Sequence, residues 1–192
     1  MTTSHKVLAF AASNSRNSIN KMLVLHAANV LKEEVIPTAD ISTIDLNDFE
    51  MPVYSIDREN ESGIPQEAKN FYKTIGDADT LLISYAEYNF NFQSAFKNIV
   101  DWCSRIKMKI FQNKPMVIMA TSPSPNGGSL VIKVANDAAG FFGADIRGSL
   151  SVPSFYDTFD TENVRISDAE FAGIDPRSDV SPTSTYYALK DL

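Results

Sequence analysis

Short apolar runs alternate along this chain with segments whose apolar residues recur three and four apart, and that alternation constrains the fold more than any other feature. Val7-Leu8-Ala9-Phe10, Thr80-Leu81-Leu82-Ile83-Ser84-Tyr85 and the Met116-Val117-Ile118-Met119 core of Pro115 to Thr121 are short and apolar on both faces, as buried parallel strands are. Between the first two, Ile19, Met22, Leu23, Ala27, Val30 and Leu31 form one helical stripe that leaves Lys21, Asn29, Lys32 and Glu33 to solvent, and Pro37 ends that helix. Ile41 to Leu46 reads as a second strand, polar enough for an edge. Asn47 to Gly63 is a long acidic connection, and Ile64 to Ile75 is expected to be a second helix with Pro65 in its first turn. Phe92, Phe96, Ile99, Val100, Cys103 and Ile106 give a third stripe. Leu130, Val131, Val134, Ala138, Phe141 and Phe142 give a fourth, closed by Gly143 as C-cap. A fifth strand is expected from about Asp145 to Val152.

Five strands separated by helices imply an α/β fold: a five-stranded parallel sheet with right-handed crossovers and helices on both faces. Residues 1–153 make up this domain. Beyond it, 154–192 reads as a partly irregular extension, rich in Asp, Ser, Thr and Pro, in which Pro176 and Pro182 break any long helix. Ligands of such sheets bind outside the carboxyl ends of the strands, near the switch point in strand order. Three loops meet that description: Ser13 to Asn20, Ala86 to Asn91, and Ser122 to Gly128.

The first loop is the most informative. Ser13-Asn14-Ser15-Arg16-Asn17-Ser18-Ile19-Asn20 packs three serines, three asparagines and one arginine into a strand-to-helix turn. Its hydroxyl and amide donors stand beside the free N–H groups and partial positive charge of a helix start. That suits a phosphate dianion, with Arg16 as the planar, permanently charged fork. Taken alone, the loop equally fits a capped surface turn, since Ser and Asn are preferred caps.

Composition narrows the classes. A net charge of −7 argues against nucleic acid or an anionic membrane surface as partner. Cys103 is the only cysteine, so no internal disulfide forms, which fits a reducing compartment. The only histidines, His5 and His26, lie far from it, so no metal site is expected. The N-terminus lacks a signal-peptide core, and no run approaches the roughly 18 apolar residues of a membrane span, so the expectation is a soluble cytoplasmic protein. No G-x-G-x-x-G, Walker A or G-x-S-x-G pattern is present. Cys103 falls on an apolar stripe and reads as core, and His26 reads as a packing or surface residue. Lys97 and Asp101 are spaced for a surface ion pair. Trp102 is expected to be partly buried, with a subunit contact as one role.

Four stretches in order, Ala12 to Asn20, Glu87-Tyr88-Asn89, Phe96-Lys97-Asn98-Ile99-Val100-Asp101-Trp102 and Ser122 to Gly128, resemble the NADPH-dependent FMN reductase family, as does Met51-Pro52-Val53-Tyr54 after the second strand. The resemblance covers about residues 6 to 153 and implies a flavodoxin-like fold. It implies FMN as cofactor, NADPH or NADH as reductant, and a quinone-like, flavin or azo compound as small-molecule electron acceptor. It places Ser13, Ser15, Arg16, Ser18, Ile19 and Asn20 around the FMN phosphate, Glu87, Tyr88, Asn89 and Phe90 along the isoalloxazine, and Ser122, Gly127 and Gly128 on its other side. No acid–base catalytic residue is implied. A homodimer or homotetramer is expected, with Asp179 to Leu192 packed across a partner subunit. The chain departs from the family at Ala12, where Gly is usual, at Ala86, where Pro is usual, and at Pro125-Asn126. Two other readings remain open at this point: a flavodoxin-like electron carrier that uses no nicotinamide, which the acidic charge would suit, and a flavin-free interaction protein of the same fold.

Overall fold

The computed structural model describes residues 4–166 together with 189, 190 and 192. Strand β1 (Lys6–Ala12) is buried along its length except at Lys6, and the two-residue period of a strand sends its side chains into two separate cores. Leu8, Phe10 and Ala12 enter one core, and Val7 and Ala9 enter the other. Helix α1 (Ile19–Val30) follows and winds through a wider turn over Leu31–Val35, ending directly before the Ile36-Pro37 pair. Strand β2 is shorter than the sequence indicates, Asp40–Thr43, because only its paired residues lie against β1.

The long acidic connection is more ordered than expected: it holds a 3₁₀ turn over Leu46–Phe49 and helix α2 (Ile56–Ser62), which starts on the Ser55 cap. Helix α3 (Gln66–Asp77) begins after Pro65. Strand β3 (Thr80–Tyr85), a small antiparallel hairpin of β4 (Glu87–Tyr88) and β5 (Asn91–Phe92), and helix α4 (Ser94–Ile106) come next. Strand β6 (Lys114–Thr121), helix α5 (Ser129–Phe142) and strand β7 (Ala144–Val152) complete the sheet. Gly143 ends α5 at φ 65°, the left-handed position a glycine favours.

The sheet order is β2-β1-β3-β6-β7, all neighbours parallel, so the strand order reverses between β1 and β3. Helices α3, α4 and α5 cover one face, and α1 covers the other. That second face is also closed by helix α6 (Phe155–Thr158) and the hairpin of β8 (Phe159–Asp160) and β9 (Arg165–Ile166). Phe155, Phe159, Ile166 and Leu189 are buried with Leu23, Val24 and Ala27 of α1. Leu189 thus packs in the core of its own chain; the segment 167–188, on which the expectation of a partner-spanning tail mainly falls, lies outside the described residues.

Single residues bear on the reading of the sequence. Cys103 is fully buried, and burial pushes its thiol up to about 12. Lys97 and Asp101 form the expected ion pair. Trp102 is not at the surface: it is 1% exposed, donates from Nε1 to the Pro52 carbonyl at 2.7 Å and takes the ring of Tyr54 edge-on. Together with Asn98, which bonds the carbonyls of Met51 and Pro52 and the N–H of Tyr54, it straps the Met51–Tyr54 segment along α4. Among the described residues no helix is long and apolar enough to cross a membrane, and no three His, Cys, Asp or Glu side chains could hold a metal.

Candidate active site

At the carboxyl ends of β1, β3 and β6 the three loops border one open cleft of about 320 Å³, within the usual range of small-molecule sites. Ser13, Ser15, Ser18, Ile19 and Asn20 line it from the first loop, Glu87 and Tyr88 from the hairpin, and Ser122 from the third loop. Arg16, Asn89, Phe90, Gly127 and Gly128 are not on its wall. Asn17, Ala86 and Pro123, which belong to the three loops without having been singled out within them, are on it, and so are Thr121 and Tyr156, which lie outside those loops.

The first loop is built around its hydroxyls. Ser13 is buried and accepts from the Ser15 N–H at 3.1 Å; Ser18 caps α1 by accepting from the Lys21 N–H at 3.3 Å. The first turn of α1 carries no carboxylate of its own, which leaves the positive end of the helix dipole available to an anion. The Arg16 guanidinium is exposed and makes no ion pair with a described residue. Asn20 is different. Its Oδ1 accepts from Ser84 Oγ at 2.8 Å and from the Thr121 N–H at 3.0 Å, and its Nδ2 donates to the Thr121 carbonyl at 3.1 Å. It therefore clamps the ends of β3 and β6 together and holds the cleft floor. Ala12, at the end of β1, keeps a negative φ and pairs with Tyr85, so a β-carbon is tolerated there.

The second and third loops are joined by Glu87. Its Oε2 accepts from the N–H groups of Leu130 at 3.1 Å and Val131 at 3.0 Å, and its Oε1 accepts from Asn126 Nδ2 at 3.2 Å. A carboxylate over the start of α5 satisfies donors that have no intrahelical acceptor and complements the dipole. Glu87 thus fixes the hairpin to the third loop instead of standing free as an acid or base. Between Tyr88 and Asn91 the chain turns through Asn89 at φ 50° and Phe90 at φ 66°, which points the Phe90 ring away into solvent, 70% exposed.

Gly127 and Gly128 have a structural reason of their own. Both have positive φ, and a β-carbon would lie 2.6 Å from Ser151 Oγ at the first and 2.8 Å from the Ala120 Cβ at the second. Close packing of the loop on β6 and β7 requires them, whatever lies in the cleft. Tyr156 reaches the rim because the chain after β7 bends at Ser154 (φ 48°), whose N–H donates to the Ser124 carbonyl at 3.0 Å, as does that of Phe155 to the Ser122 carbonyl. Tyr156 sits between Phe155 and Phe159 beyond the last strand of the five-stranded sheet, where no periodic or motif signal singles it out, so sequence reasoning had nothing to find it by.

Residues 5–157 match the model of the NADPH-dependent FMN reductase family. An NADPH:quinone oxidoreductase of Arabidopsis thaliana is 32% identical over 123 residues, 64% of this chain and 61% of the plant protein. An NAD(P)H-dependent FMN reductase of Pseudomonas aeruginosa is 32% identical over 123 residues, 64% of this chain and 62% of its own length. The chain thus spans less than two thirds of these two relatives. Among solved structures, FerB, a flavoenzyme NAD(P)H:(acceptor) oxidoreductase from Paracoccus denitrificans, superposes with a TM-score of 0.68 at 19% identity, covering 97% of this chain and 96% of FerB. That likeness is one of fold, and the fold is flavodoxin-like. With the family model extending from the start of β1 into α6, the chain belongs to the NADPH-dependent FMN reductase family.

Proposed function

We propose that the protein is an FMN-dependent NAD(P)H oxidoreductase that passes electrons to a small quinone-like, flavin or azo acceptor. The observation that carries this reading is the cleft at the strand-order switch, with the carboxylate-free start of α1 on one wall and the Glu87-braced hairpin on another. The residues fit FMN. The N–H groups at the start of α1 and the hydroxyls of Ser13, Ser15 and Ser18 would hold its phosphate, joined by the exposed Arg16 guanidinium, which stands in the same loop but off the cleft wall. Ile19, Tyr88 and the Ser122 side of the third loop would border the ring, while Glu87, Asn20 and the two glycines keep the walls in register.

Bound flavin supplies the electron transfer between reductant and acceptor. The chain's part is to bind the cofactor, orient it and leave one side open, and no protein acid or base is assigned. The lone buried Cys103 supports a reducing, cytoplasmic setting, and a homodimer or homotetramer is proposed from the family. The reductant is NADPH or NADH.

Titration of the purified protein with FMN, followed by NAD(P)H oxidation in the presence of quinones, free flavin and azo compounds, tests the reading. A yellow protein that oxidises NADH or NADPH with one of these acceptors supports it. A protein that takes up FMN but oxidises neither nucleotide moves the assignment to an electron carrier, and one that takes up no FMN moves it to an interaction role.

A further inference from the structure

Two tyrosines border the cleft from opposite faces of the sheet. Tyr88 stands on the hairpin whose Phe92 packs into the core under α3, α4 and α5; Tyr156 stands beside Phe155, which is fully buried in the core under α1. Both rings are largely exposed, 52% and 69%, yet both are held on firm supports. The hairpin is tied by Glu87 to the start of α5. Tyr156 lies edge-on to Phe155 with ring centroids 5.4 Å apart, and Phe155 in turn stacks on Phe159 at 4.8 Å. Each support also includes non-glycine residues at positive φ, Asn89 and Phe90 on one side and Ser154 on the other. Backbone of that kind persists where the surroundings enforce it, and the same holds at Gln112, Asn113 and Val164 away from the cleft.

We propose that Tyr88 and Tyr156 are the two walls of a slot above the flavin position, and that Tyr156 selects flat aromatic electron acceptors over compact, non-planar ones. The inference rests on the oxidoreductase reading and goes beyond it by naming a specificity residue and the shape it favours. An exposed phenol ring held edge-on by a buried neighbour offers its face and edge to a planar guest, and aromatic contacts of this type add to simple burial. A compact octahedral ion cannot use such a wall. A quinone takes the two electrons of one NAD(P)H with its hydride proton and one proton from solvent, leaving hydroquinone and NAD(P)⁺. Two ferricyanide ions take the same two electrons, and the proton is released. The two acceptors therefore draw on the same reductant and differ in shape at the rim.

The test uses the FMN-loaded protein and its Tyr156→Ala and Tyr156→Phe variants. The ratio of kcat/KM for menadione to kcat/KM for ferricyanide, at saturating reductant, is expected to fall about five- to tenfold in Tyr156→Ala, through KM for menadione, and to be kept in Tyr156→Phe. Calorimetric titration with 2-naphthol, which is planar and not reduced, is expected to show the same order of binding without turnover. FMN affinity, read by quenching of flavin fluorescence, is expected to change less in Tyr156→Ala than the menadione-to-ferricyanide ratio does. An unchanged ratio in Tyr156→Ala, or a loss of FMN affinity that lowers both acceptors alike, overturns the slot while leaving the oxidoreductase assignment standing. A wild-type protein that binds no FMN overturns both.

Discussion

The Asn20 carboxamide spends three hydrogen bonds on Ser84 and Thr121 in a buried setting, so Asn20→Ala takes a partner from the Ser84 hydroxyl and from both the N–H and the carbonyl of Thr121. The expected cost is roughly 2–4 kcal/mol of stability, measured by urea unfolding; a cost below about 1 kcal/mol with FMN binding lost would make Asn20 a ligand instead of a clamp. Arg16 has the opposite profile. Exposed and without an ion pair to a described residue, its replacement by Ala should leave the unfolding midpoint alone, yet weaken FMN about tenfold or more through loss of a charge-assisted bond to phosphate. Riboflavin, which lacks the phosphate, should bind the two proteins alike. Both residues were legible in the sequence as members of one polar loop. Their division of labour was not, because it depends on Thr121, a hundred residues away, whose backbone closes on Asn20 only once β1, β3 and β6 lie side by side.

At the scale of elements, the hairpin after β3 is held by its carboxylate and strained at its tip. A two-residue turn with positive φ at both positions favours Asn-Gly, and here Phe90 takes the second place at φ 66° with its ring in solvent. Phe90→Gly is therefore expected to raise stability by about 1 kcal/mol, seen as a higher melting temperature; a lower one would mean that the exposed ring has a contact the strain serves. Gly127→Ala should do the reverse. With Ser151 Oγ 2.6 Å and the Pro153 nitrogen 2.7 Å from the new carbon, it is expected to cost roughly 1–3 kcal/mol, and to loosen the third loop before any ligand is considered. A helix stripe can be read from spacing, and so can the glycine pair. What the pair is for cannot, since the atoms that forbid a side chain belong to the end of β7 and Pro153 for Gly127 and to Ala120 of β6 for Gly128.

For the whole molecule, the second core carries a buried histidine whose protonation state matters to folding. His26 is buried in it against Phe159, with no hydrogen-bond partner for Nε2 among the described residues, and burial holds its pKa below the ordinary histidine value. Its neutral form is the one the fold accommodates. The unfolded chain then binds more protons as pH drops through about 6.5, so stability is present above that value and is lost as pH falls toward the depressed folded pKa. His26→Leu should flatten unfolding stability between about pH 7 and pH 5; an unaltered slope would place the acid sensitivity elsewhere. By itself the sequence determined the alternation of strands and helices, the parallel sheet and the three loops at its carboxyl edge, because periodicity and turn chemistry are local properties. Only the tertiary structure decided which loop residues face the cleft, that Glu87 and Asn20 bind protein, and that Tyr156 arrives from beyond the last strand of the main sheet, because each depends on which distant backbone atoms the packed sheet brings within hydrogen-bonding reach.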